Sequence, residues 1–409
     1  MHSVARTFVL ALAAASLLAA CGPRRAVTAV LAADRAEKRL GAHADAPSVA
    51  LVTSETGSIA ALDIPAARGA QLAFERHAAK RGAHAAAPTL RIFDAASTAA
   101  GASRAADAAL AAPATGGPAR PVAAMGLSDT DLALAAVPAF TRANVPFVVV
   151  GATLPDLPAR CGPGTFLACF GDDAQGRAAA DFARSRFGAR LAIVFDSRSV
   201  YARTVSGFCR DRFREAGGTV AMEFDLAATP AVQLGAFMTG LQDKVDAVYV
   251  ACEPGDVAPV LASVRPVLPT MPIIGGDAFD CAAVLQSGSR PSTKVFFTTH
   301  AWYGPAASAE AIAFAEAYRA RWGEPPPSAF AALGYDAANV MLEAIDRAYA
   351  AGNLTDPEAI RAEIAATRAH AGASGTIDFS RGAVPAKDVW VIEVTAGTKS
   401  LAQRVEPAR

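Results

Sequence analysis

Short, mostly apolar runs alternate with longer amphipathic stretches along most of this chain. Runs such as 49–53, 191–195 and 247–251 have the length and composition of buried strands. Intervening stretches such as 65–81 and 329–350 place apolar residues at the three- and four-residue spacing of an amphipathic helix. Strands that alternate with helices favour a parallel sheet with helices on both faces, so the pattern predicts an α/β, doubly wound fold.

The alternation occurs in two successive sets, which indicates two parallel-sheet lobes joined by a hinge. The predicted strands are 49–53, 90–93, 122–125, 146–150, 191–195, 220–224, 247–251, 272–275, 295–299, 375–379 and 388–395. The predicted helices are 65–81, 99–111, 129–142, 174–187, 203–216, 231–242, 255–267, 307–322, 329–350 and 357–367. In open α/β sheets, ligands bind beyond the carboxyl ends of the strands, so two facing lobes would form a cleft for a small molecule.

The first 21 residues are typical of an export signal. Arg6 precedes an apolar run at 8–18 that is too short to span a bilayer as a permanent helix. Leu-Ala-Ala-Cys at 18–21 then resembles the bacterial lipoprotein box, in which the cysteine becomes the lipid-bearing first residue of the mature chain. An ordinary signal peptide with an incidental Cys21 is the alternative. We expect a periplasmic or cell-surface protein that is anchored to a membrane through Cys21, with 22–47 as a tether.

Overall composition narrows the function classes. The chain has 38 basic and 38 acidic residues, so no net charge favours nucleic acid as a partner. The hydrophobic fraction is 53%, much of it alanine, and no later window offers 18 uninterrupted apolar residues. A second membrane span is therefore not expected.

Six cysteines are present, and five remain once Cys21 is assigned to lipid. In an oxidising compartment these thiols can pair. Cys161 and Cys169 flank a Gly-Pro-Gly turn and are one candidate disulfide, while Cys252 and Cys281 each follow a predicted strand and are a second. Metal binding is the weaker interpretation, because no C-x-x-C motif or histidine cluster accompanies them, and we predict neither a metal nor a cofactor.

Seven short segments, taken in their order along the chain, resemble those of a known protein family. They are GAQLAF at 69–74, ANVPFV at 143–148, GATLPDL at 151–157, DDAQGRAAADF at 172–182, IIGGD at 273–277, RWGEPP at 321–326 and GYDAAN at 334–339. In order and spacing they resemble the type I periplasmic binding proteins of the leucine/isoleucine/valine-binding kind, the extracytoplasmic receptors of ABC importers. The resemblance covers about residues 48–396. It implies one lobe of 48–171 plus 301–353, a second of 172–300 plus 354–396, a tail at 397–409, and hinge crossings near 171–172, 300–302 and 353–356.

Two strand ends in the first lobe carry hydroxyl and amide donors. GLSDT at 126–130 and GAT at 151–153 each follow a strand and precede a helix, where free N–H groups and the helix dipole favour a carboxylate. The resemblance implies that Ser128, Gly151 and Thr153 hold the carboxylate of the ligand. The alternative is that Ser128 and Thr153 are only helix N-caps. The candidate residues on this side are Ser128, Thr130, Gly151, Ala152 and Thr153.

Acidic residues occupy the corresponding positions of the second lobe. The resemblance implies that Asp172 and Asp277 accept hydrogen bonds from a ligand ammonium, which needs an ionised partner once it is enclosed. Asp172 can alternatively cap the helix that begins near Ala174. Glu253 falls where some relatives have an aromatic residue, which favours a ligand with a second positive or hydrogen-bond-donating group.

Aromatic residues complete the candidate site. The resemblance implies that Tyr201 lines the pocket. Trp302 follows a strand near a crossing between the lobes and would either close the pocket or pack against the hinge. Phe279, two residues beyond Asp277, is likewise expected either to close the pocket or to pack against the hinge.

These features predict a solute-binding protein of an ABC importer. It would be a monomer that closes by a hinge around a small polar ligand, an amino acid or a related amine or carboxylate compound, and then presents the closed form to a membrane permease. A sensory subunit that binds a small amide, aromatic or more apolar molecule is the alternative. An enzyme is disfavoured, because the chain has no G-x-S-x-G elbow, no P-loop and no G-x-G-x-x-G after its first strand.

Overall fold

The computed structural model describes residues 46–81, 87–111, 120–353 and 355–407. All of its elements belong to one compact unit, Pro47–Arg409. The predicted signal peptide 1–21, the predicted lipidation site Cys21 and nearly all of the predicted tether, residues 22–45, lie outside the described residues.

The first lobe is built on a five-stranded parallel sheet with the order β2-β1-β3-β4-β5. Its strands are β1 Ser48–Thr53, β2 Thr89–Asp94, β3 Ala123–Gly126, β4 Phe147–Val149 and β5 Thr165–Leu167. Its first helices are α1 Ala60–Arg81, α2 Ala99–Leu110, α3 Thr130–Arg142 and α4 Leu157–Cys161. Every residue of β1 is buried, as expected for a parallel strand covered on both faces.

The second lobe has a seven-stranded sheet with the order β16-β15-β12-β9-β8-β6-β7. Its strands are β6 Arg190–Phe195, β7 Thr219–Asp225, β8 Ala247–Ala251, β9 Ile273–Gly275, β12 Val295–Thr299, β15 Val389–Thr395 and β16 Thr398–Val405, and a hairpin of β10 Gln286–Ser287 and β11 Arg290–Pro291 precedes β12. Its helices are α5 Asp172–Arg186, α6 Val200–Glu215, α7 Leu234–Met238 and α8 Pro254–Val264. Strands β6, β7, β8, β9 and β12 are parallel, whereas β15 and β16 add to the edge in antiparallel pairings.

The chain returns to the first lobe after β12. The returning elements are α9 Ala309–Trp322, α10 Phe330–Ala350, α11 Pro357–Ala365 and the hairpin of β13 His370–Gly372 and β14 Gly375–Ile377. Helix α10 packs along α1, and α11 packs against α10 and β3. The two-lobed α/β fold predicted from the sequence is confirmed.

Three predictions of boundaries differ from the structure. The third crossing was expected at 353–356, but α11 stays with the first lobe because Ile360 and Ile364 are buried against it, and the chain rejoins the second sheet only at Val389. The predicted tail at 397–409 contains β16, which pairs with β15. The predicted helix 231–242 is shorter, a single 3₁₀ turn at Ala231–Gln233 followed by α7.

Both sheets place their first strand between the second and the third, so each has a switch point where successive connections leave in opposite directions. The first switch point lies between β1 and β3, and the second lies between β6 and β8. Crevices for ligands open at the carboxyl ends of these strands. None of the helices in the described ranges is long and apolar enough to cross a membrane.

Candidate functional site

A pocket lies where the two switch points face each other. It encloses about 240 Å³ of space between atoms, part of it open to solvent. The lining residues are Leu62, Ser128, Asp129, Thr130, Gly151, Thr153, Tyr201, Glu253, Asp277, Ala278 and Phe330.

The structure brings together seven of the candidate residues predicted from the sequence. Four come from the first lobe and three from the second: Ser128, Thr130, Gly151 and Thr153, and Tyr201, Glu253 and Asp277. Each of them lies just after the carboxyl end of a strand or in the helix that follows it. The pocket therefore lies between the lobes and is formed by residues from both of them.

The donor side of the pocket differs from the expectation. The Ser128 amide donates to Asp63 Oδ1 at 3.0 Å, and the Gly151 amide donates to the Leu127 carbonyl at 3.1 Å. These backbone groups, expected to be free for a carboxylate, are already engaged. The hydroxyl oxygens of Ser128 and Thr130 are buried without a hydrogen-bond partner among the described residues. Both hydroxyls can donate and accept.

Gly151 is required by the close approach of an aromatic ring. A Cβ at this position would lie 2.5 Å from Cε1 of Phe330, the first residue of α10. Phe330 thus covers the end of β4 and forms an apolar wall of the pocket.

The acidic side is held by a buried network around Gln175. Asp277 Oδ1 accepts from Gln175 Nε2 at 3.1 Å, and Asp277 Oδ2 lies 2.9 Å from His300 Nε2. Asp172 Oδ1 accepts from the same Gln175 nitrogen at 3.0 Å and from Thr153 Oγ1 at 2.7 Å. Because Thr153 is in the first lobe and the other groups follow or adjoin the second sheet, this network connects the two lobes.

Burial perturbs two groups in this network. It raises the pKa of Asp172 well above its usual range, and the charge of Asp277 adds to the effect. It lowers the pKa of His300, against the opposing effect of Asp277, so the imidazole is neutral at pH 7. The His300 ring stacks on Phe170 with centroids 3.9 Å apart.

A second acidic pair spans the cleft. Asp129 caps α3 by accepting from the Leu132 amide at 2.9 Å, and Glu253 accepts from the Ser199 hydroxyl. Burial raises the pKa of both carboxyls, and the charge of Asp129 raises that of Glu253 further. The neighbouring Asp131 accepts from the Val200 amide at 3.0 Å, so a first-lobe carboxylate meets the N-terminus of a second-lobe helix.

Four predicted site residues do not line the pocket. Ala152 accepts a hydrogen bond from Cys169 Sγ through its carbonyl, and Asp172 lies behind Thr153. Phe279 is fully buried beneath the backbone of β9. Trp302 donates from Nε1 to the Pro305 carbonyl at 2.8 Å, so it packs on the loop after β12 instead of closing the pocket.

The predicted disulfides are corrected by the structure, in which Cys161, Cys169, Cys252 and Cys281 are all free and buried. Cys161 ends α4 beside Arg160, whereas the Cys169 thiol is directed to the Ala152 carbonyl. Cys252 and Cys281 both lie in the hydrophobic core as small apolar side chains. Burial raises the pKa of all four thiols.

Several site residues escaped the sequence reasoning. Asp129 had a signal, because it is the N-cap between Ser128 and Thr130. No local sequence signal marks Asp63, Gln175 or Phe330, because the residues that they contact in and around the pocket are distant in sequence. Among the described residues, no group of three or more histidine, cysteine or acidic side chains is placed to hold a metal ion.

Comparisons with known proteins identify the family. A sequence model of the periplasmic binding protein family matches residues 47–399. No curated protein shows significant similarity to the chain.

Solved structures share the fold. A leucine-binding protein LivK from Thermotoga maritima is 28% identical with a TM-score of 0.77, over 88% of this chain and 99% of that chain. The branched-chain amino acid transporter substrate-binding protein LivJ from Streptococcus pneumoniae, in complex with isoleucine, is 24% identical with a TM-score of 0.79, over 89% and 100%. An ABC transporter solute-binding protein from R. palustris, in complex with benzoate, is 19% identical with a TM-score of 0.73, over 89% and 97%. The chain belongs to the periplasmic binding protein family.

Proposed function

We propose that this protein binds a small amine or amino acid between its lobes and delivers it to the permease of an ABC importer. The observation that carries the proposal is the composition of the pocket, which takes hydroxyls and the Asp129 carboxylate from the first lobe and the carboxylates of Glu253 and Asp277 from the second. A ligand that contacts both sets gains its full binding energy only in the closed form, so binding favours closure. The closed form is then the one that the permease recognises.

Asp277 is the proposed partner of the ligand ammonium. Asp277→Asn removes the charge but keeps an acceptor for Gln175, and the neutral His300 ring can accept from the new amide in its other tautomer. We expect the ligand affinity to fall roughly 10- to 100-fold, as is typical for a lost hydrogen bond to a charged group.

A thermal-shift screen of amines and amino acids would identify ligands, and calorimetry would then compare the variant with wild type. The exposed Asp211→Asn on α6 is the matched control and should bind normally. Unchanged affinity of the Asp277→Asn variant, with an unchanged melting temperature, would reject the assigned role.

We also propose that the protein is a monomeric lipoprotein anchored through Cys21. The sequence Leu-Ala-Ala-Cys at the end of the apolar run supports acylation at this residue. Wild-type protein should incorporate labelled fatty acid and remain with membranes, whereas Cys21→Ser should lose the label and enter the soluble extracytoplasmic fraction. Identical fractionation and labelling of the two proteins would contradict the anchor.

A further inference from the structure

The binding pocket has an excess of acidic side chains. Asp129, Glu253 and Asp277 line it, and no lysine, arginine or histidine is among the lining residues of the described chain. Asp63 lies directly beneath, bound to the Ser128 amide. A ligand carboxylate would therefore disfavour the ionised form of these side chains, whereas a cation would favour it and be attracted.

The neighbouring basic groups do not neutralise this charge. Lys387 Nζ donates to a backbone carbonyl and to a serine hydroxyl at 2.8 and 2.6 Å. Arg198 forms an ion pair with Asp196 at 2.8 Å. His300 faces Asp277, but its burial disfavours the charged imidazolium. The acidic groups of the pocket thus have no basic partner on the ligand-facing side.

The donors that a carboxylate needs are scarce. The backbone amides of Ser128 and Gly151 are engaged within the protein. Two hydroxyls remain, and that of Thr130 lines the pocket with only 1% of the residue exposed and no hydrogen-bond partner among the described residues. A hydroxyl oxygen accepts from ammonium or guanidinium as readily as it donates, so these groups suit a cation.

Asp129 and Glu253 come from opposite lobes, and this gives the acidic pair a function in closure. Each carboxyl is disfavoured as an anion by burial, and the two repel each other when both are ionised. A cation between them would compensate both charges. It would do so only in the closed form, because its two partners belong to different lobes.

We propose that the ligand is a small molecule with net positive charge, whose ammonium or guanidinium group lies between Asp129 and Glu253 while a second N–H donor group faces Asp277. This inference rests on the proposed function and narrows its ligand from amines and amino acids in general to cations. A zwitterion such as leucine would leave one of the two acidic positions without a cationic partner, so that position would contribute no charge-assisted hydrogen bond.

Calorimetry of the full chain with four probes of graded charge tests the inference. Agmatine has an ammonium and a guanidinium group, arginine adds a carboxylate, leucine has no net charge, and benzoate is an anion. We expect agmatine and arginine to bind, and leucine and benzoate to bind at least about tenfold more weakly. Preferential binding of leucine would overturn the cationic ligand and leave the proposed function standing, whereas preferential binding of benzoate would overturn both. Failure of every probe and of a wider metabolite screen would overturn both.

A variant that removes the charge of Glu253 tests whether this residue contacts the cation. Glu253→Gln keeps the size of the side chain and an acceptor for the Ser199 hydroxyl, and we expect agmatine to bind at least about tenfold more weakly. Glu316→Gln removes an exposed charge on α9 outside the pocket and should match wild type. Melting temperatures confirm that both variants fold. Wild-type affinity of the Glu253→Gln variant for agmatine would overturn the assignment.

Discussion

At the residue scale, Asp63 fixes the shape of the donor side of the pocket. Its carboxylate accepts from the Ser54 amide at 2.7 Å and from the Ser128 amide at 3.0 Å, and so it connects the loops after β1 and β3. Only 1% of the residue is exposed, and burial raises its pKa to about 6 against the opposing effect of these hydrogen bonds. One buried side chain therefore positions the first switch point.

The substitution Asp63→Asn tests this role. An amide offers one acceptor and directs its NH₂ at the second backbone N–H, so one buried donor loses its partner. We expect the free energy of unfolding to fall by about 1–3 kcal/mol, measured by urea denaturation. Asp107→Asn, at an exposed position of α2, is the control and should change little. Equal stability of the two variants would show that Asp63 is not needed to hold the loops.

Only part of the site could be predicted from the sequence. Ser128, Thr153 and Glu253 lie at strand ends, where local sequence and family resemblance both indicate a ligand position. Gln175 was missed because its partners Asp277 and Thr298 are 102 and 123 residues away in sequence. Nothing local distinguishes an amide in a helix from a solvated one. The role of Gln175 becomes apparent only in the folded structure, where the second sheet brings its partners close to it.

At the scale of elements, long periodic segments were predicted closely, whereas two short or exposed strands, β5 and β16, were missed. The strand 191–195 corresponds to β6, and the helix 329–350 corresponds to α10. The three-residue β5 is too short to give a period. Strand β16 lies at the edge of its sheet with mostly exposed or half-buried residues, so its sequence lacks the apolar signal of a central strand.

Helix α11 shows that lobe membership is decided by packing and not by periodicity. Its pattern predicts an amphipathic helix, and the structure contains one. The sequence does not say which sheet its apolar face covers, and Ile360 and Ile364 are buried against the first lobe. This choice moves the third crossing beyond the expected 353–356.

At the scale of the whole molecule, the two sheets repeat one strand order and present their switch points to each other. Ligand closure then depends on contacts that cross the cleft. Asp131 of α3 accepts from the Val200 amide at the N-terminus of α6 at 3.0 Å. The exposed N–H groups of a helix start favour such a carboxylate, so this contact stabilises the closed arrangement.

Removal of this contact should weaken ligand binding without unfolding either lobe. We expect Asp131→Ala to lower the affinity for agmatine by about 2- to 10-fold, because one hydrogen bond of the closed form is lost while the open form is unaffected. Asp131→Asn keeps an oxygen acceptor and removes the charge, so it separates the hydrogen bond from long-range attraction of the cation.

Small-angle X-ray scattering would measure the radius of gyration with saturating agmatine. If the contact stabilises closure, the alanine variant should remain more expanded than wild type, with the asparagine variant between them. Equal affinities and equal compaction of all three proteins would mean that closure is held by the pocket alone. In that case closure would depend on the connection between the lobes that the network of Thr153, Asp172 and Gln175 provides.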